Sequence, residues 1–126
     1  MPDQKPFQHH RWNEMPAEQM KGTITRRMIT GDQAMIAQIV LKKGDFVPQH
    51  SHHNEQLTYV ISGALHFKLG PKGEQELTVR AGEVLVIPSH LPHSALALED
   101  TLDVDVFSPP REDWINKTDD YLRKNT

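Results

Sequence analysis

Between Gly44 and Leu65 the sequence reads GDFVPQHSHHNEQLTYVISGAL. Three histidines, His50, His52 and His53, fall within four positions, and Glu55, Gln56 and an apolar run ending at Gly63 follow. In an extended strand His50 and His52 project to the same face, about 7 Å apart along the chain. Two imidazoles placed like that can converge on one ion. The same letters also suit a polar turn with solvated histidines, and an isolated His-x-His divides about evenly between the two readings. His53 belongs to turn and surface in either case. The face alternation cannot be carried on to Gln56, because His52–Glu55 reads as a turn.

The rest of the chain supplies the setting. Its 126 residues suit one domain with a genuine core. A net charge of -3 argues against nucleic acid or an anionic membrane as the main partner. There is no cysteine. Disulfides and thiolate chemistry are thereby excluded, any metal is held by nitrogen and oxygen, and a cytoplasmic location is the expectation. The start, MPDQKPFQHHRWNEMP, has no apolar core and is not read as a signal peptide. No run approaches the roughly 18 apolar residues of a membrane span. Residues 1–22 read as an irregular arm, 23–110 as a barrel and 111–126 as a tail. Short apolar segments, AMIAQIVLKKG, LTYVISG, ALHFKLG, ELTVRAG, EVLVIP, HSALALED and TLDVDVFSPP, alternate with Gly, Pro and Ser turns. That punctuation predicts an all-β sandwich or barrel. Only REDWINKTDDYLRK reads as helix, with Trp114, Ile115, Tyr121 and Leu122 able to pack it on the body.

A second stretch shifts the odds at the histidines. GEVLVIPSHLPHSALAL begins at Gly82, reaches Pro88 and presents His93. Gly44-x5-His50-x-His52-x3-Gln56-x6-Gly63 with Gly82-x5-Pro88-x4-His93 resembles the paired motifs of the cupin superfamily. That resemblance implies a double-stranded β-helix, a jelly-roll barrel, and the ligand set His50, His52, Gln56 and His93 around a divalent nickel, zinc, iron, manganese or cobalt ion. Gln56 stands where glutamate is usual, His90 where glycine is usual and Ala97 where asparagine is usual. The glutamine removes a negative charge, which leaves a bound ion more electrophilic and weakens its retention.

TLDVDVFSPPRED places Leu102, Val104 and Val106 on one face and Asp103, Asp105 and Phe107 on the other. From pattern alone the preferred reading leaves the two aspartates in water; the alternative lines a pocket with Asp105 and Phe107. The order VLKKG, HSHHNEQLTYVISG, AGEVLVIPSHLPH and DVFSPPREDW, with KGTITRRMITGDQAMIAQ upstream, is similar to the pectin-degradation cupins of the KdgF type. This resemblance implies an enzyme that opens 4,5-unsaturated uronates into linear keto forms, and a homodimer. It assigns pocket roles to Asp105, Phe107 and Arg111. Arg111 would grip the substrate carboxylate through two parallel bonds, Asp105 would shuttle a proton, and Phe107 would form an apolar wall. The plain reading of Arg111 is a surface salt bridge to Glu112 or Asp113. A small cupin dioxygenase or lyase, or a non-catalytic binder of sugar acids, are the competing functions. Arg26 and Arg27 read as a second acid contact or a solvated edge, His66 as barrel lining or surface, and Tyr59 as packing.

Overall fold

The computed structural model describes residues 5–123. The first four residues of the expected arm and the last three of the tail lie outside that range. The strands are β1 Glu18–Gln19, β2 Thr25–Thr30, β3 Met35–Leu41, β4 Phe46–His50, β5 Glu55–Ser62, β6 Ala64–Leu69, β7 Gln75–Arg80, β8 Val84–Ile87, β9 His93–Ala97 and β10 Thr101–Ser108. They form two antiparallel sheets, ordered β1-β2-β3-β10-β5-β8 and β4-β9-β6-β7. The two sheets face each other across one core as a jelly-roll barrel, the all-β architecture expected.

Period-two alternation builds the core. Met35, Ala37, Ile39 and Leu41 of β3, Leu65, Phe67 and Leu69 of β6 and Ala95 and Ala97 of β9 all point inward. Two irregularities aim the chemistry. In β4, Val47 pairs with Ala95 and His50 with His93, so two residues, Pro48 and Gln49, oppose Ser94 alone. Three positions apart on a regular strand, Val47 and His50 would face opposite ways; the bulge turns His50 toward the interior. Pro48 tolerates this position because a bulge needs no donor from it. A second register shift, between Leu102 and Asp103, sets the phase of β10.

The tail differs from its sequence reading. In place of one helix there are two single turns, α1 Glu112–Ile115 and α2 Asp120–Arg123. Lys117, with a φ of 59°, separates them. Trp114 and Leu122 are buried and Tyr121 packs against the core, whereas Ile115 is exposed. The expected apolar face is thus three residues of four. Arg26 anchors the tail: its side chain is buried, donates to Asp119 at 2.8 Å and lies 4.1 Å from the Trp114 ring centre. Arg27 donates to the Met15 carbonyl at 2.8 Å, so neither arginine forms a solvated edge.

Candidate metal centre and pocket

The bulge and the β4–β9 pairing bring His50 and His93 together, and the loop after β4 adds His52. Ligand nitrogens of the three lie within 4.8 Å of one another. Each ring is oriented by a backbone carbonyl two residues away. His50 Nδ1 meets Pro48 O at 2.8 Å, His52 Nδ1 meets Asn54 O at 3.0 Å, and His93 Nδ1 meets Leu91 O at 2.8 Å. A carbonyl only accepts, so each Nδ1 carries the hydrogen and each Nε2 presents a lone pair.

Gln56 completes the arrangement. Its amide nitrogen donates to Thr58 Oγ1 at 2.9 Å, and Thr58 Oγ1 donates to Asp105 Oδ1 at 2.8 Å. This chain fixes the amide so that Gln56 Oε1 faces His52 Nε2 at 3.1 Å. Two acceptors at that separation repel unless positive charge lies beside both. His93 Nε2 is buried with no hydrogen-bond partner, a costly condition unless a Lewis acid takes its lone pair. The donor set therefore fits a divalent cation, with three neutral imidazoles and one amide oxygen as ligands.

Electrostatics keep the imidazoles neutral. Burial, then the neighbouring His93 and Arg111, lowers His50 from 6.5 to about 3. Burial, then Arg111 and His93, lowers His52 to about 4, and burial also lowers His93. Metal ligation requires this unprotonated form.

The aspartates correct the preferred strand reading. Asp103 and Asp105 are only 3% and 5% exposed, and they point inward with Phe107, while Leu102, Val104 and Val106 take the outer face. Across the inner face Asp105 registers with Thr58 and Phe107 with Gln56. Asp105, Phe107 and Arg111 line one cavity with His50, Gln56 and His93. The cavity is about 50 Å³, room for several water molecules. An ion with a water fits it, as does a carboxylate group.

Burial raises both carboxyls, and for Asp103 the Asp105 charge adds to the effect. As pH rises above 3.8, the unfolded chain loses these protons while the fold retains them, so stability falls until the raised folded values are passed and stays lower above them. Asp103→Asn removes one ionisable group and lets an amide donate to Asp105. It is expected to raise Tm at neutral pH by about 5 °C, with the gain shrinking toward pH 4. Thermal melts of both proteins across that range check it; a gain independent of pH contradicts it.

Arg111 is buried, yet it is paired with Asp113. Nε donates to Oδ1 at 2.9 Å and Nη2 to Oδ2 at 2.7 Å. The partner is one the plain reading named, but the guanidinium is 1% exposed and not on the surface. Phe107 stands edge-on to His52 and to Trp114, with ring centres 5.8 and 4.8 Å apart, and forms a wall between the histidines and the tail.

Three contributors went unread in the sequence. Asn54 is buried, and its amide donates to the carbonyls of Pro109 and Pro110 at 2.6 and 3.2 Å, tying the His52 loop to the turn that carries Arg111. Thr58 is the link between Gln56 and Asp105, and its parity with Gln56 was the available signal. Tyr121 stacks on His50 with ring centres 4.1 Å apart and planes 17° apart. By contrast, His66 bonds Thr78 and Glu76 away from the cavity, and His53 and His90 are exposed. Tyr59 is 42% exposed on the outer sheet face, so it packs no core.

No curated protein sequence matches the chain. Among solved structures, KdgF from Halomonas sp. superposes with a TM-score of 0.79 at 27% identity, covering 86% of this chain and 99% of that one. An RmlC-like cupin from Shewanella frigidimarina gives 0.78 at 25% identity, over 86% and 96%. Bacillus subtilis oxalate decarboxylase gives 0.70 at 22% identity, over 85% of this chain and 31% of that one, and shares the fold. The family model for the cupin domain matches residues 37–108. That span holds both histidine motifs and the strands that carry them: the chain belongs to the cupin domain family.

Proposed function

We propose that the protein is a metal-dependent enzyme that opens 4,5-unsaturated uronate monosaccharides into linear keto acids. The observation carrying the reading is the meeting, around one cavity, of a neutral three-histidine cluster and Gln56 with a buried carboxyl, Asp105, and a buried cation, Arg111. Similarity to KdgF supports the substrate class.

The reaction is an isomerisation. A proton leaves the anomeric hydroxyl, the C1–O5 bond breaks to give the aldehyde and an enol at C5, and C4 takes a proton as the enol becomes a ketone. When bound at His50, His52, Gln56 and His93, a divalent ion supplies polarisation of substrate oxygens. Asp105 delivers the proton at C4; burial raises its carboxyl and so favours the protonated form, while Thr58 fixes its orientation. Arg111 Nη1 donates to the substrate carboxylate. Phe107 keeps water from that side. The carboxylate end enters the cavity past its mouth, where His50, His52 and Tyr121 are half-buried.

The test is turnover of a 4,5-unsaturated galacturonate, followed by absorbance of the conjugated enol-acid. Metal-loaded protein is expected to remove the band well above the spontaneous rate, and chelator-stripped protein is not. No acceleration with any of nickel, zinc, manganese, iron or cobalt rejects the reading.

A second copy of the chain is the expected partner. Leu57, Tyr59, Val84 and Val86 form an exposed apolar face, with Leu57 opposite Val86 and Tyr59 opposite Val84 on neighbouring strands, and burying such a face stabilises a dimer. Sedimentation showing only monomer would rule it out. Among the described residues no helix is long and apolar enough to cross a membrane.

A further inference from the structure

Arg111 has five N–H bonds to give, and its neighbours take three of them. The Nε–Nη2 edge is filled by Asp113, and Nη2 spends its other hydrogen on Tyr121 Oη at 2.9 Å. The two parallel bonds expected from Arg111 to a substrate carboxylate therefore cannot both come from that edge. Nη1 alone remains, buried and without a partner, in the wall of the cavity.

Tyr121 is built to supply the missing bond. Its oxygen accepts from Arg111 and, at 3.1 Å, from Trp114 Nε1. Both are donors, so the hydroxyl hydrogen of Tyr121 has no acceptor among the described residues. The ring is fixed by its stack on His50, and the residue lines the same cavity. An O–H that already receives two bonds is a stronger donor, because each accepted bond polarises it.

We propose that Tyr121 is a specificity-determining residue, whose phenolic O–H and Arg111 Nη1 together receive the substrate carboxylate beside the metal centre. This rests on the uronate reading above. The space available takes the group: the cavity of about 50 Å³ has room for a carboxylate beside Tyr121 and Arg111. A neutral ester or alcohol of similar size accepts less strongly than a carboxylate from these two donors.

The test is calorimetric titration of the nickel-loaded full chain with D-galacturonate and with its methyl ester, alongside turnover of the unsaturated uronate. Tyr121→Phe keeps the ring on His50 and removes only the hydroxyl. Affinity for the acid is expected to fall about 10–100-fold, the size of a hydrogen bond to a charged group, with the ester within about twofold and nickel content unchanged. Unchanged affinity for the acid overturns the proposal. Equal losses for acid and ester overturn it too, since that is the mark of a structural role. Wild-type protein that neither binds galacturonate nor turns over the unsaturated sugar removes the uronate reading, and this inference with it. If Tyr121→Phe melts early, replacing both tyrosines, Tyr59 and Tyr121, by 3-fluorotyrosine gives a shape-preserving alternative at mildly acidic pH. A more acidic phenol is expected to tighten the acid and leave the ester alone, and no change in the acid overturns the proposal.

Discussion

Asp105→Asn is expected to lower kcat about 10²–10⁴-fold on the unsaturated uronate while leaving metal content close to wild type and melting temperature no lower. The substitution is nearly isosteric. Asn Oδ1 still accepts from Thr58 Oγ1, now 2.8 Å from Asp105 Oδ1, so the Gln56–Thr58 chain that turns the amide oxygen toward His52 persists. What disappears is the transferable proton. Because that proton is needed only as C4 changes hybridisation, the loss belongs in kcat and not in KM. The fold has little reason to object, since Asp105 is a buried carboxyl whose ionisation burial already opposes. Steady-state kinetics beside metal analysis of the same preparation checks this. A kcat within threefold of wild type would remove Asp105 from the chemistry.

The second large effect is on the metal. Removing His93 by His93→Ala is expected to weaken divalent-metal affinity by at least about 100-fold. Binding free energies of roughly 10–16 kcal/mol spread over four ligands leave several kcal/mol to each. His93 Nε2 makes no internal hydrogen bond, so its removal strands no protein partner on that side. The metal-free variant should fold and should resist acid better than wild type. As pH falls below 6.5 the unfolded chain protonates its histidines, while burial holds His50 down to about 3 and His52 to about 4. Stability of the metal-free protein is therefore lost across that window, and His93 adds to the loss in the same direction. Removing one such ring lessens the loss. Chelator competition and acid melts read both effects; metal affinity unchanged in His93→Ala would contradict the ligand set.

Much of this was legible in the sequence because it is written in spacing. Short apolar runs between glycine and proline turns gave seven strands of the barrel, and the two histidine motifs marked residues that the β4–β9 pairing brings together. The inward turn of His50 depends on a bulge at Pro48–Gln49, which periodicity does not reveal. The aspartates were misjudged by pattern because alternation cannot say which face of a strand is covered. Here the sheet partners Ala37 and Thr58 place Asp105 inside. The tail was hardest. Arg111, Trp114 and Tyr121 are brought to the cavity by two separate turns and an ion pair from Arg26 to Asp119, 93 positions apart, and no local signal encodes that contact.

The measurement that tests the central claim most directly is proton NMR of a 4,5-unsaturated galacturonate mixed with metal-loaded and with chelator-stripped protein. It follows the vinylic C4 proton and identifies the product. Metal-dependent disappearance of that signal, matched by a linear keto acid with no added oxygen atom, is the predicted result. A vinylic signal that persists at its spontaneous rate, or an oxygenated product formed with uptake of dioxygen, would contradict it.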